Sequence, residues 1–186
     1  MNKLLLISVL FVSSNLYSQI IDTNNFNYLL LEKMVLQKIN DYRKTKKLSE
    51  LYYSETLRVN ASVKTSTANA KKDSAFHMPP LSTNLELYGK LYNELYVVTN
   101  GKCGVEKPQF VGFTKNGEII SKCIGLDKTY EELSNNILKS WLNSPKHKET
   151  IELPYSENIS LFSCSTKKSK SGKYYTTVNF ISLGFY

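Results

Sequence analysis

Two histidines, His77 and His147, are the only imidazoles in the chain, and their surroundings differ. His147 lies in Ser140-Trp-Leu-Asn-Ser-Pro-Lys-His147. There Ser144 suits a helix N-cap, and Pro145 suits the first helical position, where its missing N–H costs nothing. His147 then falls in the first turn, beside the positive end of the helix dipole, which disfavours a second positive charge. An imidazole so placed tends to stay neutral, the form that ligates a metal or accepts a proton. His77 follows Phe76 in a loop that runs into Pro79-Pro80. The third group is Glu94, in the apolar and aromatic run Leu91 to Thr99. Facing inward it needs a partner, because a lone buried carboxylate is costly; facing outward it is an ordinary surface charge. On the residues alone, His77 and His147 are candidates for one shared site, although no local spacing such as His-x3-His joins them. The plainer alternative is that each histidine bonds nearby backbone or faces solvent.

Motifs for other chemistry are missing. The sequence has no His-Glu-x-x-His, no Gly-x-Ser-x-Gly elbow and no Gly-rich phosphate loop. If zinc were held at such a site with an open position, a bound water could titrate near neutral pH. A hydrolase would then also need a general base, with Glu86, Glu131 and Glu132 as the candidates.

The elements that must position these groups follow from patterning. Leu31, Val35, Ile39 and Tyr42 recur at helical spacing, and the lysines after them suit a helix C-terminus. Ser54 caps a second helix over Glu55 to Lys72, with Leu57, Ala61, Thr65 and Ala68 as a small-residue stripe. Leu91 to Thr99 reads as a strand. Residues 101–128 read as an insertion punctuated by glycines, with Asn116-Gly117 as its hairpin turn. Thr129 and Glu132 form a capping box, opening a helix that buries Leu133, Ile137, Leu138 and Trp141. Two closing strands, Asn158 to Cys164 and Tyr174 to Phe185, flank the turn Ser165 to Gly172. Helices segregated from an antiparallel sheet give an α+β fold.

At the N-terminus, Lys3, the apolar run Leu4 to Val12 and the small or polar residues Ser13 to Ser18 read as a secretory signal peptide over residues 1–18. The run is shorter than the roughly 20 residues a membrane-spanning helix needs. Residues 19–186 then form one domain of an exported protein, extracellular or periplasmic and not membrane-spanning. The net charge is +8, but only Arg43 and Arg58 are arginines, so the bidentate fork that nucleic-acid readers favour is scarce. The lysines read as a solvated surface with attraction for anionic cell surfaces rather than as a nucleic-acid site. Of the three cysteines, Cys103 and Cys123 bracket the glycine-containing stretch and are the preferred disulfide pair, leaving Cys164; three unpaired thiols are the alternative.

Ile39-Asn-Asp-Tyr-Arg43, Leu51 with Leu57 and Ala61, Phe76-His77, Asn93-Glu94, the Trp141 to His147 segment and the final Tyr-rich strand resemble the CAP superfamily, the SCP-like group of cysteine-rich secretory, antigen five and pathogenesis-related proteins. The similarity is closest to its bacterial secreted branch and covers about Leu29 to Tyr186 without the insertion. It implies an α-β-α sandwich with a small central antiparallel sheet and a polar cleft. It also implies that His77, Glu94 and His147 line that cleft and hold a divalent cation, often zinc (Zn2+). Two departures stand out: the family's Gly-Glu-Asn is here Asn93-Glu94-Leu95, and the second acidic residue of many eukaryotic members has no match. The resemblance implies no single activity. The expectation is a secreted, non-enzymatic binding module for a protein, lipid or cell-surface ligand, with a metal-assisted peptidase or esterase as the alternative. In a third reading the trio only holds the sheet to the helices.

Overall fold

The computed structural model describes residues 19–79, 85–98, 111–124, 129–154 and 160–185. The expected signal peptide, Cys103 and the start of the expected strand at Asn158 lie outside them. Helix α1, Tyr28–Thr45, is capped by Asn27, whose side chain accepts from the Leu30 N–H. Strand β1 is Tyr52–Tyr53. Helix α2 follows in three pieces: Glu55–Leu57, a wider π turn over Arg58–Ser62, and Val63–Lys72. Then come α3, Leu85–Val98, and β2, Val111–Cys123. Helix α4 is Tyr130–Leu142 and α5 is Pro145–Glu152. Strands β3, Ser160–Lys168, and β4, Tyr174–Phe185, close the chain.

The strands form one sheet in the order β1-β3-β4-β2. The pairs β3–β4 and β2–β4 are antiparallel and β1–β3 is parallel, so the sheet is mixed rather than wholly antiparallel. Alternation along the strands separates two unlike faces. On one face Ile119, Phe162, Cys164, Val178 and Phe180 join Leu31, Val35 and Ile39 of α1 and Leu133, Ile137 and Trp141 of α4 in the hydrophobic core. On the other face small polar residues meet α2. Ser62 Oγ lies 2.8 Å from Ser163 Oγ and donates to Asn179 Oδ1, and Ser66 Oγ donates to Ser165. The small side chains let helix and sheet approach closely, and the hydrogen bonds offset the cost of burying hydroxyls. The result is the expected helix–sheet–helix layering.

Two expectations fail. Residues 91–98 are helical: Leu87 and Leu91 are buried four residues apart and Glu86 pairs with Lys90 one turn on. The aromatic and β-branched composition of the run misled because β-propensity yields to context. Nor do residues 111–123 fold into a separate hairpin. Asn116 and Gly117 lie inside β2, opposite Ile181 and Phe180, with a register irregularity between Phe113 and Lys115. Asn-Gly is a local turn signal, and pairing with the length of β4 outweighs it. Glu118 is thereby carried into the central sheet.

Several local readings hold. Both capping-box bonds of Thr129 and Glu132 form. Ser54 accepts from the Leu57 N–H at 2.9 Å. No disulfide links two described cysteines, and Cys164 is a buried free thiol whose burial raises its pKa. Among the described residues no helix is long and apolar enough to cross a membrane.

Candidate functional site

The loop that carries His77 is fixed at several points. Asp73 ends α2 in the left-handed region at φ 51°, a conformation Asp tolerates better than most side chains. Asn69 then grips the loop: its carbonyl oxygen accepts from Ser74 N, and its side-chain Oδ1 accepts from Phe76 N at 3.1 Å. Glu118 of β2 completes the hold. Its Oε1 accepts from His77 Nδ1 at 3.0 Å and from Met78 N at 3.3 Å, and its Oε2 accepts from Thr65 Oγ1 at 2.7 Å and Asn179 Nδ2 at 3.1 Å. The Glu118 side chain is 14% exposed and His77 59% exposed, so a mostly buried carboxylate holds an accessible imidazole. Because an ionised carboxylate only accepts, Nδ1 is the donor in this pair, and in a neutral ring Nε2 is then the acceptor or ligand nitrogen.

His147 comes from α5. Ser144 takes the N-cap position in extended backbone, though its side chain makes no capping bond, and Pro145 opens the helix. The far end of α5 is held by Arg43, which is fully buried. Its Nη1 donates to Ile151 O at 2.6 Å and Leu153 O at 3.0 Å, and its Nε donates to Ser49 O at 2.9 Å. A guanidinium on carbonyls at a helix C-terminus satisfies groups that the helix leaves without partners. His147 is half-buried, and its pKa lies below the usual 6.5, first because of burial and second because of His77. The expected direction is right, but burial and the neighbouring imidazole cause it. The two histidines, 70 positions apart in sequence, therefore sit close enough to interact electrostatically.

Glu94 is placed differently. From α3 it reaches the first turn of α2, where it accepts from Thr56 N at 2.8 Å, Thr56 Oγ1 at 2.7 Å and the Ser54 hydroxyl. This carboxylate caps a helix N-terminus from another element. Thr56 precedes Thr65, the Glu118 partner, by nine residues, or roughly 14 Å of helix. His77 thus pairs with Glu118, and Glu94 with the start of α2.

Among the described residues no three His, Cys, Asp or Glu side chains converge as cation ligands. Both Glu118 oxygens already accept two hydrogen bonds each, which makes Glu118 an orienting partner for His77. The proposed general bases are also engaged: Glu86 with Lys90, Glu131 with Lys38, and Glu132 with the N–H of Thr129.

The comparisons identify this fold as a CAP domain. Residues 36–180 match the Cysteine-rich secretory protein family, CAP, and the chain belongs to it. No curated protein matches the sequence. Among solved structures it is similar to an outer surface protein from Borrelia burgdorferi, at 18% identity and TM-score 0.54, covering 89% of this chain and 98% of that one. It is also similar to a cysteine-rich secretory protein from Staphylococcus aureus, at 12% identity and TM-score 0.50, covering 84% of this chain and 39% of that one. These likenesses establish the shared fold. Glu118 is the site residue that sequence reasoning missed. The signal was present: Gly117-Glu118 carries the Gly-Glu step that Asn93-Glu94 lacks, but the hairpin reading had removed it from the sheet.

Proposed function

We propose that this chain is an exported, non-enzymatic binding module whose working groups are His77 and His147, with Glu118 as their positioning residue. One observation carries the reading: a mostly buried carboxylate fixes the His77 Nδ1 proton, and a second imidazole, held toward its neutral form, lies within electrostatic reach. Such a pair offers acceptor nitrogens to a hydrogen-bond donor or to a divalent cation such as zinc. The extracellular or periplasmic location rests on the leader-like N-terminus together with the family. Glu94 serves in this proposal as a helix cap, outside the ligand set. No observation favours the hydrolase alternative, since the candidate bases are engaged elsewhere.

Zinc titration followed by NMR of the two imidazoles tests this. Zinc should shift both histidine signals, and Glu118→Gln should weaken uptake by about tenfold or more, the usual effect of losing an orienting partner. Glu94→Gln should leave uptake unchanged. Signals that stay still at saturating zinc, or a loss that follows Glu94 instead of Glu118, would overturn the site assignment.

A further inference from the structure

The end of the sheet that carries the β3–β4 turn gathers charge that the histidine site does not use. In the ladder Lys122 of β2 and Lys167 of β3 both stand opposite Tyr175 of β4. Tyr175 donates to Asp73 at the end of α2, which also accepts from Lys173 and Ser171 of the turn. These contacts bring Lys71 and Lys72, the last residues of α2, to the same end as Lys168 and Lys170. Lys71, Lys72, Lys122, Lys168 and Lys170 are exposed. Among the described carboxylates nearby, Asp73 pairs with Lys173 and Glu131 with Lys38, while Glu132 accepts from the Thr129 N–H and Asp22 from the Asn24 N–H, so the exposed lysines outnumber the acids that have no lysine partner.

Apolar side chains share this end. Phe26, just before α1, stacks on Tyr174 at 4.4 Å and packs against Tyr130, which places the starts of α1 and α4 here. Ile20 bridges to Thr129, and Ile124 follows Cys123, the partner of Tyr174. Among the described residues Ile20 and Ile124 are the two most exposed large apolar side chains, at 74% and 69%, and Leu29 in the first turn of α1 follows at 54%.

We propose that this end is a docking face for anionic phospholipid bilayers, with the lysines meeting headgroup phosphates and Ile20, Leu29 and Ile124 entering the interface. Lysines beside exposed aliphatic side chains are the composition of interfacial membrane binding. Nucleic acid fits less well. Isolated isoleucines give bases nothing to stack on, and both arginines are committed elsewhere, Arg43 in the core and Arg58 to Glu32. The proposal is independent of the histidine site.

Vesicle co-sedimentation of the full mature chain tests it. The protein should partition onto phosphatidylglycerol–phosphatidylcholine vesicles and not onto phosphatidylcholine alone, and about 0.5 M salt should release it, because screening is then short-ranged. Lys168→Glu with Lys170→Glu should weaken partition by about tenfold or more, given the contribution of each surface lysine. Ile124→Ser should weaken it at constant charge. Lys44→Glu with Lys47→Glu, at the far end of α1, is the charge-matched control and should have little effect. All of these positions are exposed, and circular dichroism confirms folding. Equal loss in the control pair, equal binding to neutral vesicles, or binding to a duplex oligonucleotide but not to vesicles would each overturn the proposal.

Discussion

Glu118 of β2 stands opposite Asn179 of β4 in the ladder, and the Asn179 amide donates to its carboxylate at 3.1 Å. The same carboxylate reaches His77 on one side and Thr65 on the other. One acidic side chain on the polar face thus ties helix, loop and sheet together, and four predictions concern it and the other groups that hold the helices in place.

Glu118→Gln keeps the shape but replaces one acceptor with a donor that faces existing donors. Hydrogen bonds to charged groups contribute about 1.5–3 kcal/mol each, and a buried group left unpaired costs about 1–3 kcal/mol. Urea unfolding should show a loss of about 2 kcal/mol or more. A change under about 0.5 kcal/mol, the ordinary range for surface substitutions, would mean that the four bonds are not holding the fold.

Acidification should destabilise the protein through His147. Its folded pKa lies below the unfolded 6.5, so on lowering the pH the unfolded chain takes up the proton first. The stabilisation is complete above the unfolded value and is lost as pH falls through 6.5 toward the folded value. His147→Gln should flatten that part of the stability profile. An NMR titration midpoint for His147 at or above 6.5 would contradict the burial described here.

Arg43→Met removes the guanidinium that serves three carbonyls. With buried acceptors costing about 1–3 kcal/mol each when left unpaired, the variant should lose about 3 kcal/mol or more in equilibrium denaturation. Because the carbonyls of Ile151 and Leu153 lie at the end of α5, the His147 ring signals should also broaden or shift. Unchanged signals would show that α5 is held by its packing alone.

Glu94→Ala takes away the cap that α3 supplies to α2. A lost helix cap costs about 0.5–2 kcal/mol, and the melting temperature should fall accordingly while the NMR signals of the His77 ring stay unchanged. Shifted His77 ring signals would return Glu94 to the cleft.

Sequence alone determined the features set by neighbours within a turn or two. The face of α1 is fixed by Leu31, Val35 and Ile39; the starts of α2, α4 and α5 are fixed by Ser54, Thr129 and Pro145. In each case hydrogen bonds or sterics act over three or four residues. The closing pair of strands was legible for the same reason, although β3 runs on to Lys168. Tertiary structure decided the rest. Aromatic and β-branched composition made residues 91–98 look like a strand, yet Leu87 and Leu91 bury one helical face. Asn116-Gly117 signals a turn only where no longer partner is available, and β4 is that partner. The identity of the carboxylate beside His77 was a question of strand register. Glu118 reaches the imidazole because antiparallel pairing sets it opposite Asn179, on the face that meets α2, and no rule acting over a few residues can supply that placement.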